Sequence, residues 1–171
     1  MVRPAVSQDL DALVEIDAKC FPVGIAYPRA EIAALLRSGS VLMLVAEMQE
    51  AIVGFAAVGQ FQHQFRRQSE QQVPWFGELI TLDVLPDFRR ARVGWQLHQA
   101  LEDWLRAGNA LGMKLHVAVD NASALRFYEC LGYHSVALIS GYYLDTIDAW
   151  QMEKRLASIP ADESRSGTKP S

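Results

Sequence analysis

The residues of this chain best suited to moving a proton are Glu78, His116 and Tyr128, and the segment best suited to holding an anion is 86–94. Glu78 stands in an apolar run, where a carboxylate is poised to accept a proton from a bound group. His116 lies within Leu115-His116-Val117 and titrates near neutral pH, so it can take a proton directly or through water. Tyr128 offers a phenol that can donate to a departing atom. The apolar run 79–85 ends at Pro86, Arg89, Arg90 and Arg92 follow, and Gly94 opens an amphipathic helix. The first N–H groups of a helix have no intrahelical partner, and the helix dipole adds roughly half a positive charge at that end. A strand, a basic turn and a helix N-terminus together make a cradle that suits a pyrophosphate.

The elements that must position these groups follow from periodicity. Leu10, Leu13, Val14 and Asp17 recur at helical spacing, which predicts a first helix from about Ser7 as N-cap to Cys20-Phe21-Pro22. A second helix fits 29–37 and closes at Ser38-Gly39. Apolar runs at 41–47 and 52–59 flank a short polar turn and predict a hairpin. Residues 60–74 are polar and glutamine-rich, which reads as a solvated loop or strand tip. A long strand is expected at 76–85, with Glu78, Ile80 and Leu82 sharing one face. Leu97, Leu101, Trp104 and Leu105 mark the inner face of the helix behind the basic turn. Further strands fit 114–119, 134–140 and 149–155, and a helix at 122–131 closes at Gly132. The expected order is ααββββαβαββ, a mixed α/β fold in one domain over 1–156. The polar 157–171 reads as a disordered tail.

Composition narrows the class. The chain has 171 residues, half of them apolar and 21% charged, enough for one domain with a sizeable core. A net charge of −4 argues against a nucleic-acid partner. Cys20 and Cys130 are distant and form no C-x-x-C pair, as expected of reduced thiols in a cytosolic protein. The four histidines show no metal-ligand spacing, so no metal is expected. No apolar run reaches about 18 residues, and Asp9, Asp11, Glu15 and Asp17 break any secretory pattern, so neither a membrane partner nor a leader is expected and a cytoplasmic location is.

Pro86-Asp87-Phe88-Arg89-Arg90-Ala91-Arg92-Val93-Gly94 resembles the P-x-Y-R-x-x-G-x-G/A motif of the GNAT acetyltransferases, which a strand precedes and a helix follows. Asn121-Ala122-Ser123-Ala124-Leu125-Arg126-Phe127-Tyr128-Glu129-Cys130-Leu131-Gly132-Tyr133 resembles their N-x-x-A-x-x-[FL]-Y-E-x-x-G-[FY] stretch. The resemblance covers about residues 2–156 and implies a GNAT fold, a twisted, mostly antiparallel sheet splayed at a bulge. It implies acetyl-CoA as co-substrate and direct transfer to an amine. On this reading Leu82, Asp83 and Val84 pair with the pantetheine arm, with a backbone N–H near Val84 at the thioester oxygen. Arg89, Arg90, Ala91, Arg92, Val93, Gly94 and Trp95 cradle the phosphates, and Asn121 contacts CoA. Tyr128 protonates the leaving thiolate. Glu78, four residues before the bulge as in some branches, or His116, acts as base. Arg92 stands where the family has its first Gly; either its side chain meets phosphate or its Cβ obstructs.

Cys20-Phe21-Pro22-Val23 with Tyr27, the strand His116, and Gly141-Tyr142-Tyr143 followed by Asp148-Ala149 and Met152 resemble the San-type (NatE), Ard-type and RimI-type protein N-terminal acetyltransferases. The implied acceptor is a protein or peptide α-amine. Phe21, Pro22, Val23 and Tyr27 would form its pocket, and Tyr142 and Tyr143 would bond its backbone. A small-amine acceptor, or a CoA-binding module without turnover, are the alternatives. The oligomeric state is left open.

Overall fold

The computed structural model describes residues 1–61 and 75–156. The expected loop within 62–74 and the expected tail at 157–171 lie outside the described residues. The elements are β1 (Val2–Pro4), α1 (Leu10–Cys20), α2 (Arg29–Arg37), β2 (Val41–Met48), β3 (Ala51–Phe61), β4 (Phe76–Val84), α3 (Val93–Ala107), β5 (Gly112–Ala118), α4 (Ala122–Cys130), β6 (His134–Tyr143) and β7 (Ile147–Arg155). They build one seven-stranded sheet in the order β1-β2-β3-β4-β5-β7-β6. The fold class is the mixed α/β one expected from the sequence. The element order differs in that a strand precedes α1; among the described residues three strands lie between α2 and α3.

Ser7 does not cap α1. It sits in a short 3-10 turn, Ser7–Asp9, where the Asp9 carboxylate accepts from Val6 N at 2.8 Å. Asp9 is in turn held by Arg3 at 2.8 Å, so β1 and the helix start are tied by charge as well as by backbone.

Two apolar layers sandwich the sheet. On one face Val93, Leu97, Leu101 and Leu105 of α3 pack with Leu79, Met113, Leu115, Val117 and Tyr128. Fully burying a leucine of this kind contributes roughly 1.5–3 kcal/mol, and the i, i+4 spacing brings all three leucines to one side of the helix. On the other face Leu13 and Ile16 of α1 and Ile32 of α2 pack with Met43, Val45, Phe55 and Ala57. Here α1 lies on β3 and β4 and α2 on β2.

The sheet is antiparallel except between β4 and β5. That parallel pairing covers only Phe76–Glu78 against Gly112–Lys114. Beyond it the strands part, and among the described residues no strand pairs with the β5-side edge of residues 79–84. Between β3 and β4 the register slips: Val58 faces Leu79 while Ala57 faces Thr81, so Ile80 is the extra residue of a bulge. The bulge therefore lies two residues after Glu78, not four. It also breaks the expected alternation. Ile80 packs with the α1/α2 layer whereas Leu82 packs with the α3 layer, so Glu78, Ile80 and Leu82 do not share one face.

Candidate active site

The parting of β4 from β5 makes a slot through the sheet, and the proposed chemistry-bearing residues stand on its two sides. On the α1/α2 face, the register that pairs Glu78 with Lys114 sets their side chains together, with Glu78 Oε2 3.1 Å from Lys114 Nζ. Two residues further along β5, His116 returns to the same face, and its Nδ1 lies 3.6 Å from Glu78 Oε1. The His116 ring stacks on Tyr142 of β6 at 4.5 Å between centroids and 19° between planes. Tyr143 packs edge-on against Tyr142, and its hydroxyl donates to the His116 carbonyl at 3.2 Å.

Burial depresses the His116 pKa; Glu78 pulls it up, Lys114 pushes it down and a bond from the Gln151 side chain raises it. The net direction is down, so the imidazole is neutral at pH 7 and open to accept a proton. Glu78 and His116 are thus one cluster. Lys114 is a third member that sequence reading passed over; only the strand register brings it in, although its place two residues before His116 was a period-2 signal.

The β6–β7 hairpin that delivers the tyrosines is shaped at Gly141, whose φ is +64° and whose N–H donates to Asp148 Oδ1 at 2.8 Å. The register between β6 and β7 shifts between Ile139 and Tyr143. The tip residues Leu144 and Asp145 also adopt positive φ.

Opposite stands the α1–α2 segment. Phe21 is half-buried, Pro22 and Val23 are exposed, and Val23 is 98% exposed. Tyr27 is half-buried, its hydroxyl donates to the Ile80 carbonyl at 3.5 Å, and burial pushes its pKa up to about 12. Gly24 and Leu144 meet: a Cβ on Gly24 would lie 3.0 Å from Leu144 Cδ2. The α1–α2 segment and the tip of the β6–β7 hairpin therefore touch at this point.

On the α3/α4 face Tyr128 is buried, edge-on to Phe127 and Tyr133. Burial first, then the charges of Asp83 and Tyr143, raise its pKa, so the phenol keeps its proton. Leu82 is half-buried on this side, Asp83 points into the other layer, and Val84 is buried. The Val84 carbonyl is occupied, accepting from Arg89 Nε at 3.1 Å and from Cys20 Sγ at 3.4 Å. Arg89 thus folds back on its own strand, and Arg90 and Ala91 are exposed. Val93 is a core residue and can offer only its backbone; Gly94 lies against Leu82 and Phe127, and Trp95 is half exposed. Asn121 accepts from Ala124 N at 3.1 Å and caps α4, a role sequence reading did not assign it.

Arg90 and Arg92 both adopt left-handed φ, +65° and +61°. Arg92 keeps the backbone conformation that a Gly would take, at a cost of roughly 1–2 kcal/mol for a residue with a Cβ. The turn before α3 thus keeps a left-handed backbone at Arg92, and the exposed side chain is added to it. Arg92→Gly is expected to raise stability by about 1 kcal/mol, or about 2–4 °C in Tm. If this turn holds phosphate, as the sequence resemblance implies, the same variant should weaken acetyl-CoA binding several-fold and flatten its salt dependence, because a Coulombic contact would be lost. Calorimetry at two salt concentrations checks this; tighter binding by the glycine variant would mean that the Cβ obstructs.

No group of three or more His, Cys, Asp or Glu that could hold a metal occurs among the described residues, and no helix among them is long and apolar enough to cross a membrane.

The profile of the acetyltransferase (GNAT) family matches residues 10–133. An N-alpha-acetyltransferase of Sulfurisphaera tokodaii is 28% identical over 155 residues, covering 88% of this chain and 90% of that protein. Among solved structures, Ard1 from Thermoplasma volcanium superposes with a TM-score of 0.76 at 25% identity, covering 92% of this chain and 98% of the other. The ribosomal-protein-S18-alanine N-acetyltransferase from Escherichia coli has the same fold, with a TM-score of 0.77 at 20% identity over 98% of this chain and 99% of its own. Arabidopsis thaliana NAA60, solved in complex with acetyl-CoA, gives 0.78 at 18% identity over 91% and 97% of the two chains.

Proposed function

The chain belongs to the acetyltransferase (GNAT) family and is an acetyl-CoA-dependent acyltransferase, and from that premise we propose that its acceptor is the α-amine of a protein or peptide chain. The observation that carries this reading is the cluster of Glu78, neutral His116 and Tyr142, set beside the point where the segment 21–27 meets the tip of the β6–β7 hairpin. The names of the relatives, which specify N-alpha and ribosomal-protein-alanine acetylation, support it.

Acetyl-CoA supplies an activated acetyl thioester. The turn at Arg90–Arg92 and the first N–H groups of α3 would hold its phosphates, and the free edge of residues 82–84 its pantetheine arm. The slot between β4 and β5 joins that face to the acceptor face. An ammonium must lose its proton before it can attack, and His116 takes that proton. Glu78, 3.6 Å away, then faces the imidazolium and offsets its charge. Lys114 pairs with Glu78 and holds its carboxylate in place beside the ring. Tyr128, buried and protonated, donates to the leaving sulfur.

The Gly24–Leu144 contact favours a second reading, a small amine in a closed pocket, since it bridges the groove. An acetyl-CoA assay over peptides varied at their first two residues, with lysine-containing peptides and small amines alongside, separates the two. Peptides with an apolar first residue should be the better acceptors. Tyr142→Phe should raise their KM several-fold, the value of roughly 1 kcal/mol for one hydrogen bond, and leave acetyl-CoA binding unchanged. Efficient turnover of small amines, with peptides ignored, would replace the first reading by the second.

A further inference from the structure

We propose that Asp17 is the positioning residue of the acceptor wall, fastening the segment Phe21–Tyr27 at both of its ends; the inference rests on the reading of that segment as one side of the acceptor groove. Asp17 is fully buried in α1, among Leu13, Ile16 and Phe55. An acid in the apolar stripe of a helix is costly to bury and calls for a compensating role. Its backbone carbonyl accepts from Phe21 N at 3.0 Å, and its side-chain Oδ2 accepts from Tyr27 N at 2.7 Å. One residue thus holds the first and the last member of the segment.

Between these anchors the segment is braced from within. Ile25 N and Ala26 N both donate to the Pro22 carbonyl, at 3.0 and 3.1 Å. Fixing Tyr27 N aims the Tyr27 ring over the bulge, where its hydroxyl reaches the Ile80 carbonyl. The same fixing sets Gly24 against Leu144 of the opposite wall. The width of the groove is therefore set from a point inside the core.

Among the described residues the second oxygen of the acid, Oδ1, has no hydrogen-bond partner, and neither has Asp83 Oδ2 on β4, which is also buried. Thr81 Oγ1 donates to the other Asp83 oxygen at 3.0 Å. Burial, and next the charge of Asp17, raise the Asp83 pKa to about 8, against a smaller opposing pull from Arg89. Burial raises the Asp17 pKa as well, opposed by the bond from Tyr27 N, and Asp83, a neutral acid at pH 7, leaves it without a like-charge neighbour.

The test uses the full chain with acetyl-CoA and a Met-starting peptide. Asp17→Ala should speed hydrogen exchange at the Tyr27 amide by roughly tenfold or more and raise peptide KM by roughly tenfold, as expected for losing a bond to a charged acceptor. The KM for acetyl-CoA should be unchanged, and turnover at saturating peptide should stay within about twofold, since no reacting group is touched. Asp17→Asn, which still presents an oxygen to Tyr27 N, should restore both readouts. Asp17→Leu, which suits the apolar stripe, replaces the alanine variant if that does not fold. An unchanged Tyr27 exchange rate in the alanine or leucine variant overturns the inference whatever the acceptor is. Lost protection in a protein that acetylates only small amines would instead uphold the anchoring role and sink the peptide reading.

Discussion

His116→Ala should lower turnover by about 10²-fold, the usual contribution of a positioned general base, with acetyl-CoA affinity kept. Glu78→Gln should cost a similar factor, and the double variant less than the product, because the two side chains face each other and act as a unit. The pH profile separates their roles. Burial places the His116 pKa below the ordinary 6.5, and Glu78 is the charge that holds it up. In the wild type the acid limb of turnover should therefore lie below pH 6.5, with activity full above it and lost as His116 becomes protonated. Removing the Glu78 charge takes away the upward pull, so the limb should move to still lower pH in Glu78→Gln. Lys114→Met removes a downward pull and should move it the other way. Stopped-flow or steady-state rates between pH 5 and about 8 read all three. Wild-type turnover in both single variants would remove these residues from the mechanism, and a limb that does not move in Glu78→Gln would place proton transfer elsewhere.

Gly54→Ala should be among the most destabilising single-atom changes in the sheet. Gly54 faces Val84 across β3 and β4, and a Cβ there would sit 2.6 Å from the Asp83 carbonyl oxygen and 3.3 Å from Val84 Cα. Both obstacles are backbone, so no rotamer change relieves the clash and β4 itself must move. Overpacking of this kind costs about 3 kcal/mol at the upper end, or about 6–12 °C in Tm for a domain of this size. The displaced residues are the ones proposed to line the pantetheine arm, so the KM for acetyl-CoA should rise in the protein that does fold. Gly39→Ala is the control: nothing lies within 4 Å of its Cβ, and its Tm should be unchanged within about 2 °C. A thermal melt of the two variants beside the wild type settles the comparison, and equal melting temperatures for Gly54→Ala and wild type would contradict it.

Local chemistry was sufficient for much of this protein. The run of leucines at 97, 101 and 105 specifies a helix and its buried side, and α2 spans the residues its periodicity implied. The chain turns out of α4 at Gly132, φ +91°, where a left-handed residue is needed and only Gly takes it freely. The spacing from Pro86 to Gly94 and from Asn121 to Tyr133 carried the family, because a phosphate cradle is built from neighbours in sequence. What the sequence left undetermined depends on register between distant strands. One extra residue in β4 at Ile80 turns Leu82 to the opposite face, and local alternation hides it, because Ile80, Leu82 and Val84 are all apolar while Thr81 and Asp83 between them are polar. The three residues of β1 are too few for a period to show, and they become a strand only because β2 offers an edge. Lys114 joins Glu78 through cross-strand pairing, and Tyr142 reaches His116 because Gly141 and Asp148 bend the last hairpin back. Asp17 reads as one more position in a helical stripe; the partner of its side chain lies ten residues on, in a segment whose path is set only when α1 and β4 close upon it. Side-chain identity fixes what each residue can do, but the distance between two groups is a property of packing, and packing is long-range.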